Sequence, residues 1–369
     1  MKVLIVGNRV RTYALAFQNE ITPLLDLGHE VIWAADFSNF IGNRDEIPCK
    51  TVQIDIVSYP FHKTNIKALK QIKNIIINEG IQVVSSSTPI GGTLARLAAW
   101  QCGLKKNVIY FAHGFLFFKG VPFLKRVLFR LHEALLAHIT DTLVTITKED
   151  FAAAQKFTLR RKNSIYYVHG AGVNMGLIPG KSKDVVREEL GIDNNDIVIV
   201  SAGDLNGNKN NQVVVRSMAY LPSNCHYLIC GTGTKDSFLK RLSIELNVSD
   251  RVHFLGYRTD MKDIMSASDV FVMPSFREGV PRSILEAMDL KLPCVGSRTR
   301  GISDLIDEDK GGYLCNPQKP AEFGEAFLNL INNPQKRLDY GTYNQSKVKD
   351  YSTEVVRNEM TKVYKESIV

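Results

Sequence analysis

The sequence predicts an α/β protein built from two Rossmann-like, doubly wound domains. In the first half, short apolar runs rich in β-branched residues alternate with longer segments of helical periodicity, which is typical of a parallel sheet covered by helices. The alternation starts again after 170–184, a segment rich in Gly, Lys and Ser. A length of 369 residues also exceeds what one hydrophobic core usually organises. We therefore place domains at 1–175 and 176–350, followed by a last helical segment at 351–369.

Five strands and four helices are predicted in the first domain. Three of the helical patterns stop at a glycine, namely Gly28, Gly80 and Gly103, which is a common helix end signal. The predicted strands are Val3–Val6, Val31–Trp33, Val83–Val84, Val108–Ala112 and Leu143–Ile146, and the predicted helices are 12–27, 64–78, 91–102 and 122–138.

The second domain repeats the pattern with five strands, most of which run into glycine-containing loops. The predicted strands are Ile197–Ser201, Tyr227–Cys230, Val252–Leu255, Val270–Met273 and Leu292–Gly296. Helices are predicted at 209–220, 235–246, 260–267, around Glu286, and at 320–332, 334–348 and 352–366, where Val355, Met360 and Val363 are the expected contacts of the last helix.

Charge is unevenly distributed along the chain. The net charge of +8 divides into +9 for residues 1–175 and −1 for 176–369, and the stretch 80–132 contains no Asp or Glu. A basic face of this kind predicts an anionic partner such as an acidic lipid surface or a lipid diphosphate. The sequence shows no basic helix-turn-helix and no zinc-ligand spacing, so nucleic acid is not expected. The six cysteines form no CxxC pair, which favours free thiols over a disulfide framework.

The segment 274–288 carries two glutamates eight positions apart. A short apolar strand ends at Pro274, Glu278 follows in a loop, and Pro281 is expected in the first turn of a helix that carries Glu286. Both carboxylates would then lie at the C-terminal edge of a parallel sheet, where open α/β folds bind ligands. An isolated helix glutamate is more often a solvated residue, but the Glu-Gly-Val-Pro sequence before it favours a binding site.

This segment resembles the E-x7-E motif of the retaining glycosyltransferases of family 4, which have the GT-B fold. The resemblance spans nearly the whole chain and is strongest over 197–315. It implies two Rossmann-like domains facing a central cleft and a C-terminal helix crossing back to the N-terminal domain. It also implies that Glu286 binds the ribose hydroxyls of a nucleotide donor and that Glu278 lies beside the transferred sugar. The other interpretation of Glu278 is a glutamate that only orders its loop.

Other loops of the second domain extend the resemblance. Gly203 begins a loop that ends near Lys209, which matches the phosphate-binding lysine of the family, although Asp204 stands where most members have an arginine. We expect Arg282 or Arg277 to replace that cation, unless both are solvated surface residues. The loop at Gly231 and the one at Arg258 are expected to border the nucleotide, or are simple turns. Backbone amides from Gly279 and Val280 to Arg282 would face the donor at a helix N-terminus.

The resemblance places the acceptor side on the first domain. His113 follows a strand and precedes Gly114, as does a histidine that in many family members points at the sugar. Gly7, Asn8 and Arg9 are expected to form the first loop between strand and helix, where the family usually has glycines. The absence of GxGxxG from that loop argues against a nicotinamide-dependent dehydrogenase.

The segment 115–136 allows two interpretations. Its apolar residues form one helical stripe, with basic residues off the stripe, so it is either a core helix with a solvated face or an interfacial helix on an anionic membrane. The acid-free stretch favours the membrane. The basic residues expected to face the membrane are Lys119, Lys125, Arg126 and Arg130.

The predicted activity is that of a retaining glycosyltransferase in capsule or exopolysaccharide assembly. It would move a sugar from a nucleoside diphosphate, with UDP expected, to a polyprenyl-diphosphate-linked saccharide. No cofactor and no metal is expected, and the Asp307-Glu308-Asp309 sequence is interpreted as a solvated turn rather than a metal motif. The expected location is the cytoplasmic face of the cell membrane. A non-hydrolysing UDP-sugar 2-epimerase and a non-catalytic scaffold that binds nucleotide sugars are the alternatives.

Overall fold

The computed structural model describes residues 1–13, 15–60, 62–118 and 120–369. The chain divides into two compact units, each built around a parallel sheet. The first unit contains Met1–Gly172 together with Thr353–Val369, and the second contains Val173–Ser352. The two Rossmann-like α/β units confirm the predicted fold class.

The first unit has a seven-stranded parallel sheet in the order β3-β2-β1-β4-β5-β6-β7. The sheet order reverses direction beside β1 and β4, so the ligand-binding edge of such a fold lies at the ends of these two strands. The strands are β1 (Lys2–Arg9), β2 (Glu30–Asp36), β3 (Lys50–Gln53), β4 (Val83–Ser86), β5 (Val108–Ala112), β6 (Thr142–Thr145) and β7 (Ile165–Tyr167).

Helices of the first unit pack on this sheet through apolar faces. In α2 the buried residues Ala68, Ile72 and Ile76 recur every four positions, which places them on one face against the strands. The helices are α1 (Leu15–Asp26), α2 (Thr64–Asn78), α3 (Pro89–Gln101), α4 (Phe123–Ala137), α5 (Lys148–Ala154) and, from the end of the chain, α14 (Thr353–Ser367).

The second unit has a six-stranded parallel sheet in the order β10-β9-β8-β11-β12-β13. From β8 the earlier strands follow to one side of the sheet and the later strands to the other, so the order of the strands reverses between β8 and β11. The strands are β8 (Ile197–Ala202), β9 (Cys225–Cys230), β10 (Val252–Gly256), β11 (Val270–Met273), β12 (Cys294–Ser297) and β13 (Gly312–Cys315). The helices are α6 (Lys183–Glu189), α7 (Asn211–Ser217), α8 (Asp236–Glu245), α9 (Met261–Ser266), α10 (Arg282–Asp289), α11 (Ile302–Leu305), α12 (Pro320–Ile331) and α13 (Pro334–Lys347).

The C-terminal helix α14 belongs to the first unit. Arg357 donates to the side chain of Asn19 at 3.0 Å, and the ring of His169 bonds to the Glu359 carboxylate at 2.6 Å. The helix buries Val356, Met360, Val363 and Tyr364, whereas Val355, one of the three expected contacts, is only partly buried. The helix therefore returns to the N-terminal part of the chain.

Some local predictions were wrong. Gly7, Asn8 and Arg9 belong to strand β1 rather than to a loop, because Arg9 still pairs in register with Asp36 after an irregularity in the strand. Pro281 occupies the N-cap position, and α10 begins only at Arg282. Strands β3, β7 and β13 and the short helices α5, α6 and α11 were not predicted, since their three to seven residues carry too little periodic pattern.

Candidate active site

The candidate site of the second unit lies where its sheet order reverses. The loop after β8 and the loop after β11 meet there, and two hydrogen bonds join them. The backbone N–H of Phe276 donates to the carbonyl of Asn208 at 2.8 Å, and the side chain of Asn208 donates to the carbonyl of Arg277 at 2.9 Å. Crevices of this kind at strand ends are the usual ligand sites of open α/β sheets.

Asparagine side chains determine the shape of the loop after β8. The Asn206 carboxamide oxygen accepts from the backbone N–H groups of Asn208 at 2.9 Å and Lys209 at 3.1 Å. Asn210 has a left-handed backbone with φ 53°, which asparagine tolerates better than most residues. Its buried amide donates to the carbonyls of Pro274 at 3.1 Å and Pro317 at 2.8 Å. The lysine is thus held between side chains that fix the loop.

Lys209 and Glu278 form an ion pair with 2.8 Å between Nζ and Oε1. The two side chains are 21% and 15% exposed, so the pair is shielded from bulk water yet still accessible. Lys209 also lies over Gly203, where an added Cβ would be 3.1 Å from its Cε. Three residues predicted for the site, from two different loops, are therefore in contact.

Gly231 and Arg258 occupy the neighbouring loops of the same edge. A Cβ at Gly231 would lie 1.9 Å from the carbonyl oxygen of Gly203, so this position excludes every side chain. The Arg258 guanidinium is hydrogen-bonded to the Asp260 carboxylate, with Nε 2.8 Å from Oδ1. That hydrogen bond raises the pKa of Arg258 and lowers the pKa of Asp260. In this structure Arg258 is paired with its neighbour.

The last predicted donor residues lie at the start of α10. Arg282 and Glu286, one turn apart, form an ion pair with 3.0 Å between NH2 and Oε1. Gly279 contacts Gly301, because a Cβ at Gly301 would be 1.6 Å from the Gly279 carbonyl oxygen. Val280 packs against the core of the unit. The glutamate predicted to bind ribose is therefore held by Arg282, one of the two arginines expected to replace the missing cation near Asp204.

In the first unit, His113 follows β5 and bonds to a buried carboxylate. Its Nε2 lies 3.2 Å from Oε1 of Glu20, whose side chain is 3% exposed. The other Glu20 oxygen is buried and has no hydrogen-bond partner among the described residues. Gly114, with φ 139°, turns the chain directly after the histidine. Burial and the nearby Glu20 raise the pKa of Tyr364, which α14 brings to the same place.

Asn8 and Arg9, both predicted on the acceptor side, have structural partners. The Asn8 side-chain oxygen accepts from the Thr88 hydroxyl at 2.8 Å and from the Gly91 backbone N–H at 3.0 Å, which satisfies the first turn of α3. Arg9 lies 3.4 Å from the Asp36 carboxylate. A role in acceptor binding remains a prediction for both residues.

Helix α4 exposes its apolar stripe, so the interpretation of this stripe as a core face was wrong. The face that packs inward instead carries Glu133, whose carboxylate accepts two hydrogen bonds of 3.0 Å from the buried guanidinium of Arg96. Lys125, Arg126 and Arg130 are exposed, and Lys119 lies outside the described residues. The exposed apolar residues of the helix are Phe123, Leu124, Val127, Leu128, Leu131 and Leu135.

No group of three or more residues with metal-ligand side chains occurs within the described ranges. Glu308 pairs with Arg298 at 2.7 Å, and Asp307 pairs with Lys347 at 2.9 Å. The six cysteines are free thiols. Among the described residues, no helix is both long enough and apolar enough to cross a bilayer.

Sequence reasoning gave no role to Glu20 or to the asparagines of the loop after β8. Glu20 lies in an amphipathic helical segment 93 residues before His113, so nothing local indicates the contact. The three asparagines at alternate positions beside Lys209 were a usable signal, because asparagine favours loop hydrogen bonds and left-handed backbone.

Comparison with known proteins agrees with these features. The model of the family "Glycosyl transferases group 1" matches residues 182–347, and that of "Glycosyltransferase Family 4" matches residues 19–171. EpsD of Bacillus subtilis, which is named as a glycosyltransferase, is 30% identical over 347 residues, covering 92% of this chain and 89% of its own. An Escherichia coli UDP-Gal:alpha-D-GlcNAc-diphosphoundecaprenol alpha-1,3-galactosyltransferase is 29% identical over 283 residues, covering 73% of each chain.

Solved structures give the same fold. Anabaena HepE in complex with UDP superposes with a TM-score of 0.79 at 16% identity, covering 99% of this chain and all of its own. The lipopolysaccharide glycosyltransferase WaaG gives a TM-score of 0.73 at 17% identity, covering 98% and 99%. The architecture is that of the GT-B glycosyltransferases. The chain belongs to glycosyltransferase family 4.

Proposed function

We propose that this glycosyltransferase moves a sugar from UDP to a polyprenyl-diphosphate-linked saccharide, with retention of anomeric configuration, in capsule or exopolysaccharide assembly. The observation that carries the proposal is the Lys209–Glu278 pair at the reversal point of the second sheet, with Glu286 on the helix that follows. A cation and two carboxylates in this order suit a diphosphate, a sugar and a ribose.

The chemistry needs charge stabilisation at two points. As the sugar departs, negative charge gathers on the diphosphate, and Lys209 with the backbone amides near Gly279 stabilises it. The anomeric carbon gains positive character, and Glu278 beside it stabilises an oxocarbenium-like state. Glu286 accepts hydrogen bonds from the ribose hydroxyls, and a contact of His113 with the sugar remains a prediction from the family resemblance. When the donor binds, the ion pairs of Lys209 with Glu278 and of Arg282 with Glu286 are replaced by contacts with the ligand. No cofactor or metal enters this scheme, because lysine, arginine and amides supply the positive charge.

The identity of donor and acceptor rests on the relatives. The Escherichia coli relative is named for a UDP-galactose donor and a diphosphoundecaprenol-linked acceptor. A Campylobacter jejuni relative, 24% identical over 209 residues, is named for an N-acetylgalactosaminyl transfer to a diphospho-undecaprenol-linked sugar. We propose the same donor and acceptor classes for this chain.

We further propose that the enzyme works at the cytoplasmic face of the cell membrane. The exposed leucines of α4 would enter the interfacial region, with Lys125, Arg126 and Arg130 on the membrane-facing helix and Lys125 in contact with acidic headgroups. Each basic residue near such a surface contributes on the order of 1 kcal/mol.

The test is a turnover screen with UDP-, GDP- and dTDP-sugars in EDTA, with and without a polyprenyl-diphosphate sugar. We expect release of UDP only when the acceptor is present, and a product with the anomeric configuration of the donor. Loss of turnover in EDTA that returns with a divalent cation would contradict metal independence. Conversion of the donor sugar without acceptor would establish an epimerase, and binding without turnover on any acceptor would favour a scaffold.

A further inference from the structure

One cavity of the first unit is not part of the site described above. It measures about 510 Å³ and lies beside the N-terminal half of α4. Its lining includes three aromatic residues, Phe117, Phe118 and Phe123, and three basic residues, Arg126, Arg130 and Lys156, which we call its aromatic wall and its basic wall. A cavity with both surfaces suits an amphiphile that carries negative charge at one end.

Basic residues of the cavity outnumber its acidic residues. Within the described ranges, Arg126, Arg130 and Lys156 form no ion pair, although Arg126 lies 5.8 Å from the centre of the Phe123 ring. Asp150 also lines the cavity, but its carboxylate is buried and accepts from the backbone N–H of Phe115 at 3.4 Å. Glu149 is the remaining acid on the wall. Three cations against two carboxylates, one of them buried, leave a site that favours anions.

The aromatic wall continues into an exposed apolar surface. Phe123, which lines the cavity, is 72% exposed, and Leu124 and Val127 follow it on the exposed stripe of α4. An apolar chain leaving the cavity would therefore run onto a surface of leucines rather than into water. Burial of that chain is favourable in proportion to its apolar area.

We propose that this cavity binds the diphosphate and the first isoprene units of a polyprenyl diphosphate. The guanidinium groups of Arg126 and Arg130 bind the phosphates, since arginine matches phosphate oxygens bidentately. Phe117 and Phe123 pack against the isoprenoid chain. The cavity thereby holds the lipid end of the acceptor whose saccharide end is elongated, and in this respect it rests on the proposed function.

The test uses farnesyl diphosphate, a short soluble isoprenoid diphosphate, as a binding probe on the full-length protein. The double variant Arg126→Ala/Arg130→Ala should bind it at least ~10-fold more weakly, since each charge-assisted hydrogen bond lost costs about a factor of ten or more. Lys125→Ala is the matched control, because Lys125 is on the same helix but does not line the cavity. If the double variant does not fold, Lys156→Ala tests the third basic residue of the cavity and should also weaken binding several-fold.

Three results would overturn the proposal. The first is equal weakening by Lys125→Ala, which would indicate a general basic surface. The second is equal competition by short-chain phosphatidylglycerol, which would make a membrane phospholipid the ligand. The third is failure of the wild-type protein to bind farnesyl diphosphate, whether or not it binds inorganic diphosphate. Because the assay needs no sugar transfer, an enzyme that binds the probe but transfers nothing would refute the proposed function and leave the cavity assignment standing.

Discussion

Charged side chains differ in ion pairing between the loops of the second unit and helix α4 of the first unit. In the second unit, each charged side chain predicted to bind donor already has a partner, as in the pairs of Lys209 with Glu278 and Arg282 with Glu286. On α4, Arg126 and Arg130 are exposed beside exposed leucines, and neither forms an ion pair within the described ranges. A paired polar site is suited to exchange its contacts for a small charged ligand. An unpaired amphipathic surface is suited to a partner that supplies both negative charge and apolar area.

The largest effect is expected at the ion-paired lysine of the second unit. Lys209→Met should lower kcat with a UDP-sugar by ~100- to 1,000-fold, which is the usual loss when one group that stabilises transition-state charge is removed. The melting temperature should change little by comparison. Lys240→Met is the control, because Lys240 is an exposed lysine of the same unit in a surface pair. If activity and melting temperature fall together, Lys209 is a structural residue, and the paired side chains of the second unit are not explained by donor binding.

The next largest effect is expected at the exposed apolar stripe of helix α4. Leu128→Asn/Leu131→Asn should reduce binding to vesicles containing phosphatidylglycerol by ~10-fold or more, because each leucine contributes up to about 1.5–3 kcal/mol on full burial. Sedimentation with vesicles measures the partition. Ile244→Asn, which changes a similarly exposed apolar residue of the second unit, should leave it unchanged. Unaltered vesicle binding of the α4 variant would show that the stripe faces another partner.

A smaller effect is expected at the contact of Glu20 with His113. Glu20→Gln should lower kcat several-fold, because the carboxylate that fixes the tautomer and orientation of the imidazole is lost. It should change the melting temperature little, since glutamine keeps the size of the side chain and replaces a buried carboxylate whose second oxygen has no partner among the described residues. Donor KM should stay constant, and Glu20→Asp should restore part of kcat. A drop in stability with unchanged kcat would assign Glu20 to the core alone.

The smallest effect involves His226 and His253 of the second unit. Their rings are hydrogen-bonded at 2.9 Å, and His226 also contacts Asp196 at 3.1 Å. Burial, followed by the proximity of His226, lowers the pKa of His253 below its usual 6.5. Protonation therefore favours the unfolded chain, so the free energy of unfolding should fall as pH decreases below about 6.5. Urea unfolding at pH 7.5 and 5.5 should show a smaller pH difference for His253→Gln, and an equal difference would exclude this pair as its cause.

The sheet strands and the donor motif could be predicted because their signals are local. Buried parallel strands are short apolar runs, and α2 was predicted with the bounds it has because one face repeats every four residues. Glu278 and Glu286 could be placed since a strand, a loop and a proline before a helix leave few alternatives.

The orientation of α4 could not be read from its own sequence. Periodicity reveals an apolar stripe but not which side packs inward. Here Glu133 faces inward because Arg96, 37 residues earlier, supplies a buried guanidinium that also lies 3.9 Å from the Tyr110 ring centre. A contact at this separation appears only in three dimensions, as does the contact between Glu20 and His113.

The return of α14 also has a consequence for biosynthesis. Arg357 bonds to Asn19 across 338 positions of the chain, and the whole second unit is inserted between the two parts of the first. On the ribosome, the second unit can fold as one continuous stretch, whereas the first must wait until 353–369 has emerged. Until then the surface of α1 that receives α14 is uncovered. The order of folding is therefore expected to run against the order of synthesis, with the first unit completed last.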